Sequence, residues 1–182
     1  LGFDAGTLGT VYEIQYSAPG YDSVTQSSTV FSVPVGISVT GAGVTEGTFH
    51  NGLFYASSVS ANILNTDLNA ALNLRSITLS SSEGITVSES ITGIGLGHDL
   101  TFRAGGSIQN TVTSKTVTIN NATFSAIANE HISIRFNINT QGGNVWIQTR
   151  ANDAPVGGFR IDADITTGGG DLFVSGGSDP AN

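Results

Sequence analysis

Two aspartates separated by one residue, Asp162 and Asp164, come closest to a chemical site in this sequence. In an extended strand this spacing places both side chains on one face. Two carboxylates at a suitable separation can act as acid and base on a glycosidic bond, and carboxylate oxygens also bind Ca²⁺. A calcium ion at this pair is one hypothesis and polysaccharide cleavage is another. No set of lysines or arginines surrounds the acids in the sequence, so our main prediction is no catalytic residue and no cofactor.

Other motifs of enzyme active sites do not occur in the sequence. Cysteine is absent, which removes thiol catalysis, disulfides and thiolate metal sites. The histidines, His50, His98 and His131, have no partner at metal-ligand spacing. A Gly-x-Ser-x-Gly nucleophile elbow is also missing. The sequence therefore favours a protein that is not an enzyme.

Composition excludes several classes of partner. The chain has 6 basic and 14 acidic residues and a net charge of −8, which opposes binding to phosphate backbones and to anionic membrane surfaces. No apolar run reaches the roughly 18 residues of a membrane span. Only 11% of the residues are charged, against about 25% in ordinary soluble domains. Ser, Thr, Asn and Gly supply the polarity instead, as is typical of extracellular β proteins. Because methionine is absent, we expect a processed form or a piece of a longer chain.

An internal repeat is the main structural signal. Residues 137–147, Asn-Ile-Asn-Thr-Gln-Gly-Gly-Asn-Val-Trp-Ile, recur as residues 164–174, Asp-Ile-Thr-Thr-Gly-Gly-Gly-Asp-Leu-Phe-Val, at an offset of 27. A period of this size is typical of solenoids, in which successive coils stack. We expect the glycine pairs 142–143 and 169–170 to form corners, where positive φ is easiest for glycine. We expect Asn144 and Asp171 to hydrogen-bond exposed backbone there.

The repeat predicts which side chains face inward and which face outward. Strand alternation places Val145 and Ile147 inside, above Leu172 and Val174, with Leu100 and Phe102 in an earlier coil. The same alternation points Thr101, Trp146 and Phe173 outward. Exposed aromatic residues in a row are typical of a sugar platform or a protein contact. The alternative is that Trp146 and Phe173 cover each other or lie under residues 153–156.

The rest of the chain supports an all-β fold with two parts. Short alternating runs bounded by Gly, Asn or Ser indicate strands at residues 77–79, 85–87, 117–119 and 132–136. One helical turn is predicted at residues 65–72, with Thr66 or Asp67 as its N-cap. Residues 11–16, 29–33 and 37–40 read as strands, and residues 19–20 as a turn, but no copy of the repeat occurs there. We therefore predict a β-rich N-terminal cap at residues 1–55 and β-solenoid repeats at residues 56–182.

Residues 60–182 resemble the repeat region of filamentous-haemagglutinin-like bacterial exoproteins. The resemblance lies in residues 64–72, 84–87, 99–108 and 176–180 and in the two Thr-x-Gly-Gly-Asn/Asp copies. The Asn-Pro signature of that family's secretion domain is not present. The resemblance implies a right-handed parallel β-helix that serves as a stalk or an adhesive surface.

From these observations we expect a structural or adhesive module of a secreted or cell-surface bacterial fibre. Its partners would be other copies of itself or the remainder of a larger adhesin chain, together with surface glycans. Two alternatives stay open. One is a filament subunit that polymerises through the solenoid ends, and the other is a carbohydrate-active β-helix that uses Asp162 and Asp164.

Overall fold

The computed structural model describes residues 33–150 and 158–176, together with the backbone of the strands at residues 11–16 and 24–29. Most of the chain is strand, and parallel sheets stack as a β-solenoid of about six turns with one helix. The predicted all-β solenoid is thus confirmed. The elements are β1 (Val11–Tyr16), β2 (Val24–Thr29), β3 (Gly36–Thr40), β4 (Gly47–His50), β5 (Leu53–Ala56), β6 (Ser60–Leu64), α1 (Asn65–Leu72), β7 (Ile77–Ser81), β8 (Gly84–Val87), β9 (Ile91–Leu96), β10 (Leu100–Ala104), β11 (Ile108–Asn110), β12 (Thr116–Asn120), β13 (Phe124–Ala128), β14 (His131–Ile134), β15 (Asn137–Asn139), β16 (Val145–Thr149), β17 (Gly158–Ile161), β18 (Ile165–Thr166) and β19 (Leu172–Ser175).

Three sheets form the faces of the solenoid. Sheet 1 has the order β4-β5-β7-β10-β13-β16-β19, sheet 2 has β6-β3-β8-β11-β14-β17, and sheet 3 has β9-β12-β15-β18. From β7 onward each coil adds one strand to each sheet in turn, and all of these pairings are parallel. Strands β1 and β2 form a separate antiparallel pair.

The register confirms the 27-residue repeat in the last coil. Val145 pairs with Leu172, and Ile138 pairs with Ile165. The earlier coils are shorter. In sheet 1 the partners Ile77, Leu100, Phe124 and Val145 follow at offsets of 23, 24 and 21 residues. The solenoid therefore keeps its strand register while the corners change in length.

Alternation along the strands builds one continuous apolar core. Of the inward residues predicted from the repeat, four are fully buried, namely Leu100, Phe102, Val145 and Ile147. In the last coil Val174 is partly buried against the core, and Leu172 is 49% exposed. Phe124 packs edge-on between two other core rings, at 5.4 Å from Phe102 and 6.0 Å from Phe136 between ring centroids. Burying an aromatic ring of this size stabilises the fold by roughly 2–3 kcal/mol relative to an exposed one. Stacked side chains from adjacent coils thus supply the stability that one coil could not supply alone.

The N-terminal side departs from simple stacking. Strand β3 lies between β6 and β8 in sheet 2 and pairs in parallel with both. Strand β4 pairs antiparallel with β5 at the edge of sheet 1. The predicted segment boundary between residues 55 and 56 falls inside β5, and β3 from the first segment belongs to a solenoid sheet.

Several local predictions are confirmed and others are wrong. The helix α1 has the predicted bounds, but its N-cap is Leu64 and no side chain caps it, so Thr66 and Asp67 lie within the first turn. Strand β2 covers Val24–Thr29, and the strand predicted at residues 29–33 falls largely outside the described residues. The predicted turn at residues 19–20 lies outside the described residues. In the part of the chain that the structure describes, no helix is long and apolar enough to cross a membrane.

Candidate functional site

The outer face of sheet 1 carries the residues predicted to bind a partner. Its strands align five outward side chains in one column, one from each coil: Thr78, Thr101, Ser125, Trp146 and Phe173. Neighbouring strands are about 4.8 Å apart, so the column runs for about 19 Å along the solenoid. Thr101 lies in the same column as the aromatic residues, with Ser125 between it and Trp146.

Trp146 and Phe173 form an exposed aromatic pair. Their ring centroids are 5.0 Å apart with an interplanar angle of 35°. Trp146 is 40% exposed and Phe173 is 43% exposed. The rings therefore contact each other, as one alternative had it, and still present a large apolar surface to solvent. The other covering group considered, residues 153–156, lies outside the described residues.

A second outward column runs beside the first. It consists of Ser80, Arg103, Ile127, Gln148 and Ser175. Gln148 and Ser175 follow Trp146 and Phe173 by two positions on the same strands, so hydrogen-bonding groups border the aromatic pair. We name the two columns together the outer face of sheet 1.

Corners hold this face in register. Gly142 and Gly169 have φ of +119° and +122°, which side-chain-bearing residues rarely adopt. A Cβ on Gly143 would overlap the Ala122 carbonyl group. After this corner the Asn144 side-chain oxygen accepts a hydrogen bond from the Asp171 amide at 2.8 Å. The predicted positive φ is thus confirmed for Gly142 and Gly169 but not for Gly143 and Gly170, and the hydrogen bond predicted for Asn144 is confirmed. The hydrogen bond predicted for the Asp171 side chain stays a prediction. These contacts fix the start of β16 relative to β19.

Asp162 and Asp164 do not alternate along a strand as predicted. Strand β17 ends at Ile161 and β18 begins at Ile165, so both acids lie in the corner between sheets 2 and 3. The reason is geometric, because the chain changes direction here and side-chain alternation holds only within an extended strand.

One carboxylate oxygen of Asp162, Oδ2, already contacts arginine side chains. Asp162 Oδ2 accepts a hydrogen bond from Arg160 Nη2 at 3.0 Å and lies 3.9 Å from Arg135 Nε. The expectation that no arginines surround these acids is therefore wrong. The guanidinium groups neutralise the carboxylate and compete with both Ca²⁺ and a proton-transfer role. Among the described residues, no group of three or more acidic or histidine side chains could hold a metal ion.

One polar cluster between neighbouring coils has no local signal in the sequence. Ser107 Oγ lies 2.9 Å from both Glu130 Oε2 and His131 Nδ1. Since an ionised carboxylate only accepts, the Ser107 hydroxyl donates to Glu130 and accepts from His131 Nδ1–H. Glu83 and Glu130 line an open cleft of about 430 Å³ beside this cluster. The cluster joins residues 23 and 24 positions apart, a separation that only the coil register reveals.

One ion pair bridges adjacent coils on the opposite side of the solenoid. Lys115 Nζ lies 2.8 Å from Glu89 Oε2. The hydrogen bond from Lys115 lowers the pKa of the Glu89 carboxyl below its ordinary value, and the charge of Lys115 acts in the same direction. This pair lies away from the outer face of sheet 1.

Comparison with known proteins gives no relative for this chain: no family model, no curated protein and no solved structure matches it.

Proposed function

We propose that this chain is a structural and adhesive module of a secreted or cell-surface bacterial fibre, and that glycans bind to the outer face of sheet 1. The observation that carries the proposal is the exposed pair of Trp146 and Phe173 on a rigid sheet. The resemblance to filamentous-haemagglutinin-like repeats supports the same role. Extracellular location and independence of cofactors remain predictions.

A continuous solenoid suits a module that bears load. Every inner strand of the three sheets is hydrogen-bonded on both edges, and the coils share one apolar core. Pulling along the solenoid axis would have to separate whole strands at once, because each coil is joined to the next through all three faces. A ligand held on one face is therefore connected to the full cross-section.

The chemistry of the face favours neutral sugars. Aromatic rings pack well against the C–H faces of pyranose rings, and sugar hydroxyls need donors and acceptors beside them. Ser125 and Gln148 provide such groups next to Trp146, and Thr101 lies one strand beyond Ser125 in the same column. The net charge of −8 repels polyanions such as sulfated glycans.

The single tryptophan makes the test direct. We would titrate the protein with neutral oligosaccharides of glucose, N-acetylglucosamine and mannose, and with heparin fragments, while recording Trp146 fluorescence. The proposal predicts a saturable change with at least one neutral oligosaccharide and none with heparin. Phe173→Ala keeps the reporter and should weaken that binding about tenfold, which corresponds to about 1.4 kcal/mol.

A matched control separates the face from general hydrophobicity. Leu96 is 70% exposed on sheet 3, so Leu96→Ala removes exposed apolar surface elsewhere and should leave oligosaccharide binding unchanged. Binding by none of the neutral sugars, or equal losses in Phe173→Ala and Leu96→Ala, would contradict the proposal.

A further inference from the structure

Helix α1 lies along one edge of β9, the first strand of sheet 3. On its other edge β9 pairs in parallel with β12. In the described part of the chain no strand pairs with the edge that faces α1. An unpaired strand edge presents amides and carbonyls that can pair with a strand of another molecule. The groups that α1 places on this edge therefore decide whether it is available.

Three asparagines, spaced four residues apart along α1 and its C-cap, form hydrogen bonds with this edge. Their partners are backbone groups of every second residue of the strand. Asn65 Nδ2 donates to Ser90 O at 3.0 Å, Thr92 N donates to Asn69 Oδ1 at 2.8 Å, and Ile94 N donates to Asn73 Oδ1 at 2.9 Å. The asparagine side chains thus take the place of the backbone of a neighbouring strand.

The repeat lengths of the two elements make this fit possible. Four residues of an α-helix advance about 6.0 Å along its axis, and two residues of a strand advance about 6.6 Å. One face of α1 therefore stays in step with alternate residues of β9 over all three hydrogen bonds. A helix can imitate a strand in this way only if it carries a polar side chain once per turn.

The opposite face of α1 packs into the solenoid core. Leu68 and Leu72 of this face are fully buried. A Cβ on Gly93 of β9 would lie 3.3 Å from both Leu72 Cβ and Ile119 Cγ2. Such a contact is tighter than usual, so a glycine at this place lets the helix come close to the strand.

A histidine holds the C-terminal end of the helix. His98 Nδ1 lies 2.7 Å from Leu72 O, and it donates the hydrogen bond because a carbonyl oxygen only accepts. A Cβ on Gly95 would overlap the His98 ring, so the ring fits only because this residue has no side chain. Apolar packing, the asparagines and His98 together keep α1 on β9.

Strand β9 carries no protection of its own against pairing. Its sequence, Ile-Thr-Gly-Ile-Gly-Leu, contains no charged residue and no proline, and the Ile94 and Leu96 side chains are exposed. Natural edge strands are protected by charges, by proline, or by an element that covers them. For β9 the covering element is α1.

We propose that α1 prevents β9 from pairing with β9 of a second copy of this chain, and that loss of its asparagine hydrogen bonds leads to association through this strand. A second copy fits because two identical edges can pair in antiparallel orientation about a two-fold axis. Ile94 and Leu96 of both copies would then add apolar contacts beside the new hydrogen bonds.

The variant Asn69→Ala/Asn73→Ala tests the proposal. In the unmodified protein we expect slow amide exchange at Thr92 and Ile94 at every protein concentration. In the variant at low concentration, exchange at both amides should be at least about tenfold faster, because two hydrogen bonds are lost. At high concentration it should slow again, because the second copy accepts these amides. Sedimentation velocity should show a change from monomer to dimer over the same range.

A matched control removes two asparagine side chains from the same sheet but not from its edge. Asn120→Ala/Asn139→Ala, on β12 and β15, should keep Thr92 and Ile94 slow and should add no association. If circular dichroism shows that the first double variant does not fold, Asn73→Ala alone removes one hydrogen bond and should give the same concentration dependence. Unchanged exchange, fast exchange without association at any concentration, or equal association by the control would each overturn the proposal.

Discussion

The two ends of the solenoid are built from similar short strands and differ in what covers them. At the N-terminal end, Ile63 of the edge strand β6 is fully buried, whereas at the C-terminal end Leu172 of the edge strand β19 is half exposed. Residues 42–46 and helix α1 account for the difference, because they place polar side chains on the free edges and Leu68 and Leu72 in the core.

This comparison teaches that closing a parallel solenoid takes dedicated groups. The strand pattern alone does not provide them, since every coil presents the same edge to the next. Glu46 and Thr45 stop sheet 2, and Asn69 and Asn73 stop sheet 3. No described residue covers the free edges of β17, β18 or β19 with such hydrogen bonds. The asymmetry gives a set of paired predictions, in which one substitution at each end is compared.

The largest difference is expected for apolar truncation. Ile63→Ala should lower the free energy of unfolding by about 3–4 kcal/mol, because it opens a cavity in a sealed part of the core. Leu172→Ala should lower it by only about 1 kcal/mol, since half of the side chain is already in water. Urea unfolding followed by far-UV circular dichroism measures both. Equal losses at the two positions would show that the C-terminal end is covered.

A smaller difference is expected for the polar residues at the edges. Asn62 Nδ2 donates to Val44 O at 2.9 Å and to Ala42 O at 3.3 Å, so Asn62→Ala should cost about 2 kcal/mol. Asp171→Ala should change stability by less than about 0.5 kcal/mol, because in the described part of the chain only the Asp171 backbone amide, which the substitution keeps, takes part in the corner hydrogen bond. The same urea titration applies, and a loss at Asp171 as large as that at Asn62 would contradict the comparison.

Two hydroxyls in one inner column should give effects of opposite sign. Ser81 and Thr149 belong to the column that also contains Ala104 and Ala128. Ser81 Oγ donates to Val35 O at 2.7 Å, so Ser81→Ala should cost about 1 kcal/mol.

The Thr149 hydroxyl is buried, and no described residue hydrogen-bonds to it. Thr149→Val should therefore raise stability by about 0.5–1 kcal/mol, because it removes an unsatisfied polar group and keeps the shape. Differential scanning calorimetry of both variants gives the signs. A lower melting temperature for Thr149→Val would mean that the hydroxyl has a partner in solution.

The smallest expected effect is a change in the pH dependence of stability. It concerns the Lys115–Glu89 ion pair, which lies between the two ends of the solenoid and provides a reference for them. Lys115 lowers the pKa of Glu89 in the folded state. The stability due to this pair is present above the ordinary glutamate pKa of about 4.3 and is lost as the pH falls through the lowered value. Melting temperatures measured from pH 7 to pH 3 should therefore fall less steeply in Glu89→Gln than in the unmodified protein. Parallel curves would show that the pair contributes nothing.

The sequence patterns were sufficient to predict the solenoid fold and the register of its last coil. Val145, Trp146 and Ile147 were placed correctly because two copies of one repeat share glycines, a threonine and an Asn/Asp at the same offset. The earlier coils differ in corner length, so their copies do not align in sequence even though Leu100 and Phe124 pair in register.

Other features depend on contacts that no local pattern encodes. The insertion of β3 between β6 and β8 joins residues more than twenty positions apart. Asp162 and Asp164 were assigned to one strand because the turn after Ile161 carries no glycine or proline to announce it. Arg135 is recognisable as a neighbour of Asp162 only once the coils are stacked.

Amide hydrogen exchange, followed residue by residue by NMR, tests the asymmetry of the ends most directly. The account predicts slow exchange for the Asn62 and Leu64 amides on β6, which Glu46 and Thr45 accept. It predicts exchange near the rate of a free peptide for Leu172 on β19, the last strand of sheet 1 among the described residues. Slow exchange at Leu172, or fast exchange at Asn62 and Leu64, would contradict the difference between the covered β6 edge and the exposed β19 edge of the described structure.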